Sequence, residues 1–397
     1  MKEERSQNIE LYLGRHSTKA SGLWVYGKAV LRALLIILQD RRKRGLGSPL
    51  IRVTYGGDDS FQRELEAIRA GFERDIELCP LSPVLGGRRA GMVSDIFRRS
   101  ETCLVHGTSN LVPLRGGSLR ILTIHDILQA YSPAPAGSSY VRLRRAFYKL
   151  LLRGQCRLAD LVITDHQSNR LDLERHLKCS TPIRIVFPPL DAVYLGTDLP
   201  DNRSTPDRSL LAFASGDPRK NLGALLAAFA AWKNRGAWRL KIVSNTGSAA
   251  AHLEALASSL GIGPNIEMMS GIDQREMPAL YSSAAGLLFP SLGEGFGYPV
   301  YEALSQGVPV LCASGMIIEP LSDAVKGGVV ETDCSTPGSL LKGLCRLASL
   351  HWPLEERQAA ARAVRELLRD EVMARELEKI YAEKAPEIFG PVSEGGE

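Results

Sequence analysis

The 397-residue sequence contains no C-x-x-C pair, no internal repeat and no low-complexity tract. Its seven cysteines (Cys79, Cys103, Cys156, Cys179, Cys312, Cys334 and Cys345) are odd in number and irregular in spacing. That excludes a disulfide framework or a zinc site and predicts reduced thiols in a cytoplasmic protein. A membrane helix needs about 20 apolar residues. The longest uninterrupted apolar run is only Ala224 to Trp232, so no span is expected. The opening MKEERSQNIE lacks the apolar core of a secretory signal. Lys and Arg outnumber Asp and Glu by only 49 to 44, a net charge of +5 that names no anionic partner, and no nucleic-acid partner is expected. No Asp-x-Asp metal motif stands at a strand end.

What is present is ordinary globular composition, 44% apolar and 23% charged, in a chain long enough for two domains. Strand-like runs alternate with helix-like ones. Ile9 to Leu13 reads as a first strand, and Val25 to Leu38 as a helix ended by Arg41-Arg42-Lys43-Arg44-Gly45. Further strands are Leu50 to Tyr55, Thr102 to His106, Leu119 to His125, Leu161 to Thr164 and Ile183 to Phe187. A polar stretch with two prolines, Gly196 to Pro206, reads as a linker. The alternation then restarts at Ser209 and continues to Ala313, and Pro353 to Glu383 reads as helical. Two βαβ arrays joined by a linker predict an α/β protein with two doubly wound parallel sheets, whose ligands sit at the carboxyl ends of the strands, in the cleft between facing domains. The expected divisions are 1–195, a linker at 196–206, a second domain at 207–365, and a tail at 366–397 that crosses back to the first domain.

The richest segment is Ser291 to Pro309, SLGEGFGYPVYEALSQGVP, after the buried strand GLLFP. Glu294-Gly295-Phe296-Gly297 forms a tight loop, Pro299 suits a first helical turn, and Gly307 ends the helix. The amides near Gly295, Phe296 and Gly297, with the helix N-terminus, make an anion cradle. The carboxylates of Glu294 and Glu302 beside it are better suited to neutral hydroxyls than to phosphate. A nucleotide diphosphate sugar, with a diphosphate between two hydroxyl-rich rings, satisfies all three features. Asp217-Pro218-Arg219-Lys220-Asn221 follows another strand, and adjacent Arg and Lys there suit a diphosphate. Leu122-Thr123-Ile124-His125-Asp126 ends a buried strand with a polar pair. His106, in Val105 to Asn110, reads equally as a structural or a functional histidine.

The pattern E-G-F-G-x-P-x-x-E-A-x-x-x-G-x-P-V resembles that of the retaining glycosyltransferases of family 4, which have the GT-B fold. The likeness runs from about Gly14 to Lys384 and is strongest over Leu210 to Ala313; Val105 to Asn110 is similar to the mannosyltransferase branch. The resemblance implies that Glu294 binds donor-sugar hydroxyls, Glu302 the ribose, and Gly295 to Gly297 the sugar and diphosphate. Arg219 and Lys220 would neutralise the phosphates, Gly22 would belong to the first glycine loop facing the diphosphate, and His125 with Asp126 would line the site near the sugar. The Gly-Arg that many members carry a few residues before the P-R-K-N stretch is replaced by Ala214-Ser215, and the serine that usually follows Thr164 by Asp165 to Ser168. These likenesses imply a retaining hexosyltransferase, independent of metal and without a resident cofactor. It would move a sugar such as mannose to a glycan or lipid-linked acceptor in cell-surface polysaccharide or lipopolysaccharide synthesis. The rival readings are a GT-B nucleotide-sugar epimerase and a catalytically idle GT-B scaffold. Basic clusters at Arg41 to Arg44, Arg88-Arg89, Arg98-Arg99 and Arg142 to Arg153 read either as solvated faces or as a docking surface for anionic lipid, which would make the protein peripheral on an inner membrane face.

Overall fold

The computed structural model describes residues 8–15, 22–82, 91, 94–117, 119–131, 139–196, 199, 207–244 and 247–390. These form two compact units, the first closing at Pro189 and taking up the chain again at Leu368, the second covering 190–367.

The first unit contains β1 (Asn8–Arg15), α1 (Gly22–Lys43), β2 (Leu50–Gly56), α2 (Asp59–Arg69) and β3 (Ile76–Pro80). It continues with β4 (Leu104–Gly107), β5 (Leu119–Thr123), α3 (Ser139–Leu158), β6 (Leu161–Thr164), α4 (Gln167–Asp172) and β7 (Ile183–Ile185). The strands are all parallel, in the order 3-2-1-4-5-6-7. Ile9, Leu11 and Leu13 alternate inward from β1 against α1, whose Val30, Leu31, Leu34 and Leu38 recur at helical spacing and are buried. By length and composition α1 could cross a bilayer, which corrects the expectation drawn from uninterrupted runs: its charges interrupt the run without lowering the mean much. More than half of its apolar window is buried, and here it is the central core helix.

The second unit contains β8 (Asp207–Ala214), α5 (Leu222–Ala231), β9 (Arg239–Ser244), α6 (Gly247–Ser259), β10 (Ile266–Met269), α7 (Met277–Ser283) and β11 (Ala284–Phe289). It ends with α8 (Tyr298–Ser305), β12 (Val310–Ala313), β13 (Val329–Thr332), α9 (Pro337–Ala348) and α10 (Leu354–Leu367). Its six parallel strands run in the order 10-9-8-11-12-13. Both sheets are therefore wound outwards in two directions from a first strand, and each has one switch point where neighbouring strands send their chains to opposite sides. These lie between β1 and β4, and between β8 and β11.

The helical stretch expected over Pro353 to Glu383 is made of two helices. α10 packs on α8 in the second unit, whereas α11 (Asp370–Lys384) packs along α1 in the first. The first unit ends at 189 rather than 195 because the turn Ala192–Tyr194 delivers the buried Tyr194 ring to Tyr281 of α7. Most of the expected linker, 197–198 and 200–206, lies outside the described residues. All seven cysteines are unbridged.

Candidate active site

In the second unit both motif segments leave the carboxyl ends of the switch-point strands. β8 runs into Asp217–Asn221, and β11 into Ser291–Gly297. The two loops are tied by backbone: the Leu292 amide donates to the Arg219 carbonyl at 2.9 Å, and Ser291 Oγ to the same oxygen at 3.3 Å. Asp217 accepts the Arg219 amide at 2.9 Å and so starts a short helical turn. Asn221 closes that turn with a left-handed φ of 58° and uses Nδ2 to hold the Cys334 carbonyl at 2.7 Å.

The two cations are held differently. Arg219 is forked onto Asp217, Nη2 to Oδ2 at 2.6 Å and Nε to Oδ2 at 2.9 Å. Partial burial works against the charge on Asp217, but the Arg219 bonds outweigh it and hold the carboxyl below its ordinary range. Lys220 Nζ donates to Glu294 Oε1 at 2.7 Å and lies 5.2 Å from the centre of the Phe289 ring. The side chains of Lys220 and Glu294 stay 27% and 17% exposed, so a ligand can reach the pair. The structure thus brings Arg219, Lys220 and Glu294 to one edge of the sheet.

Gly297 turns the chain into α8 at φ 84°, and a Cβ there would lie 2.8 Å from the Met316 sulfur. No other residue fits without displacing Met316. Phe296 is buried and stacks on Tyr301 at 4.5 Å, which leaves its backbone, not its ring, to face a ligand. Pro299 sits in the first turn of α8, and Glu302 stands one turn further in. Tyr281 donates its hydroxyl to Glu302 Oε2 at 2.7 Å, and the Tyr194 hydroxyl faces the same carboxyl. Burial pushes Glu302 up to about 7, against the lowering effect of the two tyrosine hydroxyls, and Asp191 adds to the rise. Neither Tyr194 nor Tyr281 carries a local motif that marks it; only the packing of the turn at 192–194 against α7 assembles the trio.

In the first unit Gly22 opens α1, where a Cβ would meet nothing; residues 16–21 of the preceding glycine loop lie outside the described residues. Gly14, at φ 80°, lies so close to Ser109 across the switch point that a Cβ would be 2.2 Å from the hydroxyl. His125 is buried, with Nδ1 2.7 Å from Asp165 Oδ2 and Nε2 3.0 Å from the Thr108 carbonyl. Both partners are acceptors, so the ring is satisfied by carrying a proton on each nitrogen. Burial alone would lower its pKa; Asp165 and the Thr108 carbonyl outweigh that and hold it above the ordinary value. Asp165 also accepts from Asn169 Nδ2 at 2.8 Å. The departure from the familiar serine at 165 is thus the counter-charge of His125. Asp126 accepts the Leu128 amide at 2.9 Å and shapes the turn after the strand. His106 resolves to a structural role. Its Nδ1 meets the Tyr381 hydroxyl at 2.7 Å, its Nε2 meets Thr123 Oγ1 at 2.9 Å, and burial, with a smaller push from His125, lowers it to about 3. Among the described residues no group of three or more His, Cys, Asp or Glu is placed to share a metal ion.

Residues 200–387 match the family model described as glycosyl transferases group 1. Over 210 residues, 52% of this chain and 55% of the relative, the sequence is 22% identical to an O-antigen chain mannosyltransferase of Salmonella typhimurium. It is 30% identical over 139 residues to the GDP-mannose:cellobiosyl-diphosphopolyprenol alpha-mannosyltransferase of Komagataeibacter xylinus, covering 34% of this chain and 35% of that one. The chain therefore aligns with about half or less of these relatives. Among solved structures, a sucrose-phosphate synthase from Thermosynechococcus elongatus superposes with a TM-score of 0.70 at 16% identity, over 95% of this chain and 98% of that one. Residues 200–387 thus match the group 1 glycosyl transferases, and the chain has the GT-B fold of two Rossmann-like units.

Proposed function

We propose that this protein transfers a hexose, mannose being the sugar its named relatives handle, from a nucleotide diphosphate donor to a glycan or lipid-linked acceptor in surface polysaccharide synthesis. The observation that carries this reading is the assembly of Arg219, Lys220 and Glu294 at the switch point of the second sheet, with Glu302 one helical turn inside α8. Arg219 and Lys220 take the diphosphate, helped by the amides of Gly295 to Gly297. Glu302 accepts from the ribose and Glu294 from the transferred sugar. Two cations and helix amides balance the phosphate charge, so the reaction needs no metal and no resident cofactor.

His125 has both ring nitrogens engaged and cannot take a proton from an acceptor; with Asp126 it serves position and electrostatics. No side chain of the set is a free nucleophile. The acceptor hydroxyl therefore attacks the anomeric carbon on the face the diphosphate leaves. The carbon–phosphate oxygen bond breaks as the new glycosidic bond forms, and the departing phosphate oxygen takes the hydroxyl proton. Configuration is retained. The protein contributes orientation and stabilises the charge that develops on the diphosphate.

Titrating Glu294→Ala and Glu302→Ala with a nucleoside diphosphate and with the matching nucleotide sugar tests the assignment. Glu302→Ala should weaken both ligands, by roughly tenfold to a hundredfold for a lost charge-assisted bond. Glu294→Ala should weaken only the nucleotide sugar. Normal binding of both ligands by both variants would reduce the two glutamates to structural residues.

A further inference from the structure

Only a narrow face of α3 packs on the first unit; Leu152, Gln155 and Cys156 are its buried residues. Its outer side is apolar where a solvated helix is polar. Tyr140, Leu143, Phe147 and Leu150 are 58, 71, 52 and 68% exposed, and Leu158 is 37% exposed. Among the described residues, half of the exposed large hydrophobic side chains lie on this one helix. Steps of three, four and three residues place 140, 143, 147 and 150 on a single stripe. Single exposed leucines are ordinary, but a continuous stripe marks a contact surface.

The flanks of the stripe are basic. Helical geometry sets Arg144 on one side and Arg142, Lys149, Arg153 and Arg157 on the other. Ser139 to Leu158 holds six Lys or Arg and no Asp or Glu. Arg153 is partly spent on the carbonyls of Leu177 and His176, and Lys149 lies over the Tyr131 ring. Arg142, Arg144 and Arg157 are exposed. Most cations of the other described basic clusters are committed inside the unit. Arg41 caps the carbonyls of Gly47 and Phe389, Arg42 pairs with Asp75, Arg44 with Asp40 and Glu378, and Arg98 with Glu10. Arg88 and Arg89 lie outside the described residues.

The geometry points to α3 as a docking helix for an anionic bilayer. It lies in the plane of the interface, with Tyr140, Leu143, Phe147 and Leu150 sunk to the acyl boundary and the flanking cations among the headgroup phosphates. A second copy of the chain suits the apolar stripe but would set two acid-free basic helices face to face. An anionic lipid surface suits stripe and flanks together. This inference rests on α3 alone and stands apart from the transferase reading.

Co-sedimentation of the full chain with phosphatidylcholine vesicles, with and without phosphatidylglycerol, tests it. Wild-type protein should partition to the anionic vesicles and leave them as salt shortens the screening length from about 10 Å at 0.1 M to about 3 Å at 1 M. Arg144→Gln with Arg157→Gln should lower partitioning about twenty-fivefold, at about fivefold per cation. Leu143→Ser with Phe147→Ser should lower it roughly tenfold or more at unchanged charge. All four positions are exposed, so thermal unfolding should stay at the wild-type temperature. Phe147→Trp should show a blue-shifted emission with anionic vesicles only. The inference is overturned if wild-type protein ignores anionic vesicles, binds neutral ones equally, or keeps its binding in the Leu143/Phe147 variant. It is equally overturned if sedimentation equilibrium shows a wild-type dimer that this variant dissociates, which would give the stripe to a second copy.

Discussion

Lys220 and Glu294 are each other's counter-ion; under the proposed assignment, a phosphate that takes the lysine releases the carboxylate for the sugar. Glu302 carries a different control. Its carboxyl sits near pH 7 because burial outweighs two tyrosine hydroxyls. If Glu302 holds the ribose as proposed, the ribose hydroxyls donate to its ionised form, so nucleoside diphosphate affinity should rise with pH through about 7 and fall about tenfold per unit below it. The same group makes stability run the other way. The folded chain holds a proton that the unfolded chain releases near 4.5, so this contribution is present below 4.5 and lost as pH rises through about 7. Glu302→Gln should flatten both trends, which calorimetric titration and thermal melts across that range would reveal. Wild-type affinity that does not change with pH would remove the ribose from Glu302. At this scale Glu294, Glu302, Arg219 and Lys220 were legible because each stands in a short stretch with its own turn chemistry. Tyr194 and Tyr281 were not, since nothing near either of them in the chain distinguishes it from any core tyrosine. Asp165 reads in the sequence only as a departure, and its meaning emerges when β5 and β6 pair and set it beside His125.

The parallel sheets were legible as elements because their central strands are continuous apolar runs bounded by glycine and proline. β3, β13 and α9 were passed over, and α2 was given no bounds. β3 is half-buried at a sheet edge, so it lacks a continuous apolar run, and α2 buries only Phe61 and Leu65. Leu367-Leu368-Arg369-Asp370 contains no glycine or proline to mark where one tail helix ends and the next begins; the break is made by packing, with α10 and α11 drawn to different cores. α11 and the residues after it bury Met373, Leu377, Ile380, Tyr381, Ile388 and Phe389 in the first unit. At about 1.5–3 kcal/mol per large side chain, their removal forfeits about 9–18 kcal/mol as an upper figure. Whole domains are stable by only about 5–15 kcal/mol. A chain cut after Leu367 should therefore lose the first unit, seen as aggregation or a missing calorimetric transition, while the second unit still binds nucleoside diphosphate. Full retention of the first transition would show that α11 is dispensable cover.

Each unit has its own apolar core, and each sheet has its own switch point; the duplication itself was legible from the restart of alternation after the polar stretch at 196–206. For the molecule as a catalyst, the proposal that Arg219, Lys220 and the loop amides balance the diphosphate charge predicts that activity survives excess EDTA. Complete loss restored by magnesium or manganese would show that the charge is balanced otherwise. The pairing of α1 with α11 also orders events in time. Arg32 and Asp370 meet at 2.8 Å although 338 residues separate them. At about 5–20 residues per second of synthesis, the second partner follows the first by roughly 17–68 s. Through that interval the long apolar helix that suits a bilayer by composition waits without its cover. The first unit begun on the ribosome is thus the last to close, and the nascent chain offers chaperones and membranes a surface that the finished protein no longer has.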